Sequence, residues 1–169
     1  MNLRAAFSPR VHLSSIIARW RWWAIAPLVL ACAAIAVPWL MAHAPEIGFA
    51  LQRGFALVCH QQPERSFVLF GASVAVCARC LGIYLGAAAG LLMRISRRAA
   101  WRWLMVTAAI TLVDWAAELT GIHGNWIGLR FTLGLALGMA GAMMVASAAW
   151  PGSHASRSRL SGYRTPVVM

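Results

Sequence analysis

Trp103-Leu104-Met105-Val106-Thr107-Ala108-Ala109-Ile110-Thr111-Leu112-Val113-Asp114-Trp115-Ala116-Ala117-Glu118-Leu119 is apolar almost throughout, yet it carries two acids. Thr107, Thr111, Asp114 and Glu118 recur at i, i+4, i+7 and i+11, which places all four on one helical face. A charge at bilayer depth is expensive, so such a face turns toward protein or water rather than lipid. The segment predicts a spanning helix packed among others, with its acids pointing inward.

Three further stretches have span length: about Trp23–Met41, Val74–Met93 and Ile127–Trp150. A helix needs about 20 mostly apolar residues to cross about 30 Å of hydrocarbon. The chain of 169 residues is 61% hydrophobic and 11% charged, with a mean hydropathy of +0.69. That composition excludes a water-soluble globule and a disordered chain, and four cysteines are too few for a disulfide-built secreted miniprotein. The fold class expected is all-α: a polytopic membrane protein of four transmembrane helices. Residues 1–22 form a basic tail, 23–150 the membrane domain and 151–169 a second basic tail. An outer loop at 42–73 has room for a short helix and a β-hairpin.

Orientation follows from the arginines. Arg4, Arg10, Arg19 and Arg21 precede the first span, Arg94, Arg97, Arg98 and Arg102 separate the second and third, and Arg157, Arg159 and Arg164 follow the fourth. These eleven, with no acid among them, mark a cytoplasmic face, and both termini lie there. Glu46, Glu64, Asp114 and Glu118 fall on the other side with Arg53, Arg65, Arg79 and Arg130. The net charge of +11 is thus an inner-face property. It reads as a topological signal and as attraction to an anionic inner leaflet, not as a nucleic-acid footprint, because the arginines flank spans. Val11–Trp23 has the composition of an amphipathic surface helix. Ala42-His43-Ala44 has the form of a signal-peptidase site, but the long preceding segment and Pro45 favour an uncleaved anchor. The location expected is the bacterial cytoplasmic (inner) membrane, multi-pass, with the bilayer as partner and a homo-oligomer or a membrane partner protein compatible with the glycine ridges.

Those ridges are Gly82, Gly86 and Gly90 in the second span and Gly134, Gly138 and Gly141 in the fourth, the small-xxx-small spacing of close helix contact. Arg79 and Arg130 stand in line with them, and pairing with Asp114 and Glu118 is the expected outcome. Such pairs either hold helices in register or line a functional site.

Cys32 is placed mid-span and reads as packing. The other three cysteines gather on the outer side: Cys59 with His60 beside it, then Cys77 and Cys80 in a C-x-x-C. Residues 66–77 form either a hairpin leading into a C-x-x-C knuckle or an early start of the second helix. Three thiols with His60, and His43 and His123 also outside, suit Zn²⁺ or another transition metal. A redox pair is the alternative, with Cys77 and Cys80 active, Cys59 as relay, a membrane quinone as oxidant and Arg79 lowering a thiol pKa. A plain disulfide would leave one thiol over. A small proton-coupled transporter or accessory subunit, using Asp114 and Glu118, is the remaining reading.

The run Cys59-His60-Gln61-Gln62-Pro63-Glu64-Arg65-Ser66-Phe67, followed by Cys77-Ala78-Arg79-Cys80-Leu81-Gly82-Ile83-Tyr84-Leu85-Gly86, resembles a bacterial and archaeal family of predicted membrane proteins classed as a domain of unknown function. The pattern is C-H-Q-x-P-x-R-S-F and C-x-R-C-x-G-I-Y-x-G, and the likeness extends through Asp114 and Arg130 over about residues 50–141. It implies a cytoplasmic-membrane home and no activity. It marks Gln61, Arg65 and Tyr84 as supporting residues beside the cysteines, and it departs at Glu118, where the family is more neutral.

Overall fold

The computed structural model describes the backbone of residues 10–149 and the side chains of residues 22–148. The expected tail at 151–169 and the first nine residues of the other tail lie outside the described residues. The chain forms α1 (Arg10–His43), α2 (Pro45–Ala56), a 3-10 turn (Pro63–Arg65), β1 (Val68–Leu69), β2 (Ala72–Ser73), α3 (Ala78–Leu92), α4 (Arg97–Leu119) and α5 (Ile127–Ala149).

Helix α1 is continuous over 34 residues, about 51 Å of rise. The expected surface helix at Val11–Trp23 is therefore not a separate element. No glycine or proline interrupts that stretch, and the first proline, Pro27, falls well inside α1. Pro38, also inside, has no N–H to donate to the carbonyl four residues back, that of Ala34. The backbone N–H of Ala75 takes that place, donating to the Ala34 carbonyl at 3.3 Å. A non-helical segment, residues 74–77, is thereby bonded to the side of a helix.

Pro45 opens α2, where its fixed φ suits the first turn. Gly48 lets α2 fold back on α1, since a Cβ there would press on the Met41 backbone. Beyond the 3-10 turn, β1 and β2 pair antiparallel with Val68 opposite Ser73 and Leu69 opposite Ala72. The two-residue turn has φ of 52° at Phe70 and 81° at Gly71, the left-handed pair that a tight hairpin demands. The hairpin alternative thus holds over the early helix start, and α3 begins at Ala78 rather than at 74. Val74, Ala75 and Val76 join Ala31, Ala34, Val37, Phe55, Cys59 and Leu81 in one buried cluster.

Helices α3 and α5 meet backbone to backbone. A Cβ at Gly82, Gly86 or Gly90 would overlap the carbonyls of Phe131, Leu135 or Met139, and one at Gly134 or Gly138 would overlap those of Arg79 or Ile83. Gly141 faces open space instead, one step past the contact.

In α4 the usual amphipathic order is reversed. Its buried residues are Ala100, Thr107 and Asp114, while Trp103, Val106, Leu112, Val113 and Leu119 are exposed. Among the described residues, two helical stretches are long and apolar enough to cross a bilayer, Trp22–His43 and Ile127–Ala148. Helix α3 is apolar but has 15 residues, and α4 has 23 but carries Arg97, Arg98, Arg102, Asp114 and Glu118. Cys32 lies exposed on α1 rather than in the packing.

Candidate metal or thiol site

Two chain segments deliver three sulfurs to one point. Cys59 follows α2, where the chain turns back toward α1 and buries the side chain at 6% exposure. Cys77 ends the strap bonded to Ala34 and caps α3, and Cys80 lies in the first turn of α3. The three Sγ atoms lie within 4.8 Å of one another and all are free thiols. The backbone N–H of Cys77 donates to Cys59 Sγ at 3.2 Å. That donor belongs to the N-terminus of α3, where backbone N–H groups favour negative charge on sulfur.

Cys77 lies before the α3 helix, and its thiol is held well below the ordinary thiol range. The hydrogen bond from the Cys80 thiol is the main cause; burial works against it, and the backbone N–H groups of Cys80 and Arg79 and the Cys59 thiol reinforce it. The Arg79 guanidinium is not the cause that its position suggests, because it is engaged elsewhere: its Nη2 pairs with Asp114 Oδ2 at 2.6 Å. Arg79 Nε is buried without a partner among the described residues.

His60 does not join the sulfurs. It is exposed, since neighbouring side chains on a non-helical chain point to opposite sides and Cys59 takes the inner one. His43 is exposed too, stacked on Trp39 at 4.4 Å. His123 stacks on Trp126 and sets Nε2 3.5 Å from Asp114 Oδ1. Gln61 turns away from the sulfurs to α2: its Nε2 donates to the Gln52 carbonyl at 2.6 Å, and its Oε1 accepts from Gln52 Nε2 at 3.2 Å. Its φ of 49° makes the bend that sets Cys59 and His60 apart from the 3-10 turn. Tyr84, one turn beyond Cys80, packs against the buried cluster.

A second layer of ions backs the sulfurs. Glu118 Oε1 forms ion pairs with Arg130 and, at 3.1 Å, with Arg65 Nη2. Arg130 is 5% exposed and Asp114 8%. Arg65 thus ties the outer loop to the end of α4, and Asn125 adds a bond from its Nδ2 to the Glu64 carbonyl. Ser66, 1% exposed, closes the 3-10 turn by donating to the Gln62 carbonyl at 2.9 Å. Nothing in the spacing of Asn125 along the chain indicates its partner 61 residues away.

The family model described as "Predicted membrane protein (DUF2085)" matches residues 59–144, from the first of these cysteines to the last turns of α5. The chain is 36% identical over 99 residues to an uncharacterized protein of Methanocaldococcus jannaschii, a match covering 54% of this chain and 64% of that protein. It is 37% identical over 90 residues to an uncharacterized protein of Methanothermobacter thermautotrophicus, covering 50% and 81% respectively. No solved structure matches.

Proposed function

The chain belongs to the DUF2085 family of predicted membrane proteins, and from that premise we propose an integral protein of the cytoplasmic membrane that binds a transition metal, zinc foremost, through Cys59, Cys77 and Cys80 at its extracytoplasmic face. The carrying observation is the convergence of three free thiols from two distant segments within 4.8 Å. Tetrahedral zinc with Zn–S of about 2.3 Å needs sulfurs about 3.8 Å apart, so closing on an ion takes about 1 Å of adjustment. Three protein ligands leave one coordination position for water or a substrate, the arrangement of reactive rather than purely structural zinc. The N–H bond to Cys59 Sγ fixes that sulfur at the start of α3, and the lowered Cys77 thiol suits a metal-bound thiolate.

The proposed topology has α1, α3, α4 and α5 as four spans with both termini inside. The reversed face of α4 supports this reading, because a helix that buries Thr107 and Asp114 while exposing Trp103, Leu112 and Val113 is stable where its surroundings are hydrocarbon. In water that surface would be an aggregation patch. The pairing of Asp114 with Arg79 and of Glu118 with Arg130 favours fixed ions that clamp the helices over proton carriers.

A second reading draws on the lowered Cys77 thiol: thiol–disulfide exchange linked to a membrane quinone. The Cys77/Cys80 dithiol would give two electrons and two protons to the quinone, becoming a disulfide as the quinone becomes quinol, with Cys59 relaying oxidation to a substrate dithiol.

Elemental analysis with thiol counting, on protein purified in mild detergent, separates the two. One zinc per chain, lost in Cys77→Ser and in Cys80→Ser, is expected. Metal-free protein that traps mixed disulfides in Cys80→Ser would overturn the metal reading.

A further inference from the structure

At the opposite end of the bundle from the sulfurs, Arg97, Arg98, Trp101, Arg102 and Met144 line a cleft of about 540 Å³ between the first turns of α4 and the last turns of α5. Helical rise puts Arg102 about 18 Å from Asp114, so the acids of α4 do not reach it. Among the described residues none of the three arginines has an ion-pair partner. Three guanidinium groups therefore share a concave site with no internal counter-charge.

The amino end of α4 adds its own positive field there, with Arg97 as the first helical residue and Ser96 as the cap. Guanidinium matches phosphate oxygens in a bidentate fork, and clustered arginines favour a phosphate over a lone carboxylate. The remaining lining is apolar: the Trp101 indole, 51% exposed, and the Met144 thioether. A free anion has no use for those two side chains, whereas an amphiphile lays glycerol and upper acyl carbons against them.

We propose that this cleft is a binding site for the phosphodiester headgroup of an anionic membrane lipid. The arginines hold the phosphate and Trp101 with Met144 seat the lipid body. It stands apart from the sulfur site and uses none of its residues.

The test is native mass spectrometry of the full chain in mild detergent, titrated with phosphatidylglycerol, with phosphatidylcholine, or with inorganic phosphate. One phosphatidylglycerol per chain should be retained about 100-fold more tightly than phosphatidylcholine, from about a factor of five per arginine. The Arg97→Gln/Arg98→Gln/Arg102→Gln variant should lose that preference while keeping its full thiol count, since all three side chains are exposed. Trp101→Ala should weaken lipid retention and leave inorganic phosphate binding unchanged. Equal retention of the two lipids by the wild-type chain would overturn the proposal. So would a preference that persists in the triple variant, or displacement of phosphatidylglycerol by equimolar inorganic phosphate.

Discussion

Cys59 Sγ accepts a 3.2 Å hydrogen bond from the backbone N–H of Cys77, 18 residues further along the chain. The bond joins the end of the α2 loop to the start of α3 and aims a donor at a sulfur that has other sulfurs beside it. The contact fixes the Cys59 sulfur beside the other two. Cys59→Ser should therefore lower zinc content from one per chain to below about one tenth, as loss of one of three ligands leaves too few. His60→Ala should leave it at one, because the imidazole is exposed. Elemental analysis of both variants checks the contrast.

The interlocked glycines make a graded prediction. A methyl at Gly86 meets the Leu135 carbonyl, so Gly86→Ala should destabilise the fold by about 1–3 kcal/mol, read as a lower melting temperature in detergent. Gly141→Ala meets nothing and should be neutral or gain up to about 1 kcal/mol from helix propensity.

Asp114 is 8% exposed and answers the Arg79 charge at 2.6 Å. Asp114→Asn strands that guanidinium and should cost about 3 kcal/mol; adding Arg79→Gln removes the stranded charge and should restore much of the loss. Thermal melts of the two single variants and the double variant measure the coupling.

The lowered Cys77 thiol sets a pH dependence. An ordinary thiol with pKa near 8.5 loses about tenfold in alkylation rate for each unit below that value. Metal-free protein should instead keep one fast-alkylating cysteine between pH 8 and pH 6. Its thiolate is already formed there, and the rate should fall only under more acidic conditions. Peptide mapping after brief iodoacetamide treatment should place the label on Cys77, and Cys77→Ala should abolish the fast phase.

Much of this arrangement was legible in the sequence wherever a strong local signal exists. The i, i+4, i+7, i+11 pattern put Asp114 and Glu118 on one face, and the glycine spacings marked the α3–α5 contact. Cys77 and Cys80 announced themselves by spacing, whereas residues 66–77 suited a hairpin and an early helix start alike. What was not legible depends on chain reversals. His60 stands apart from the sulfurs because adjacency in sequence does not put two side chains on the same side of the chain, and Cys59 takes the buried one. The role given to Arg79 in tuning a thiol failed because its guanidinium reaches a carboxylate 35 residues away. The start of α3 at Ala78 was hidden too: Val74, Ala75 and Val76 are as apolar as a helix, yet they dock on α1 as irregular chain.

That docking has a consequence for how the sulfur cluster comes into being. Pro38 leaves the Ala34 oxygen without its helical donor, and Ala75 takes that place. The first helix thus anchors the segment that ends at Cys77, two residues downstream. Pro38→Ala would supply a rival N–H from within the helix, and ion retention should weaken although every ligand is intact. A proline inside α1 would then govern how three sulfurs on other segments assemble.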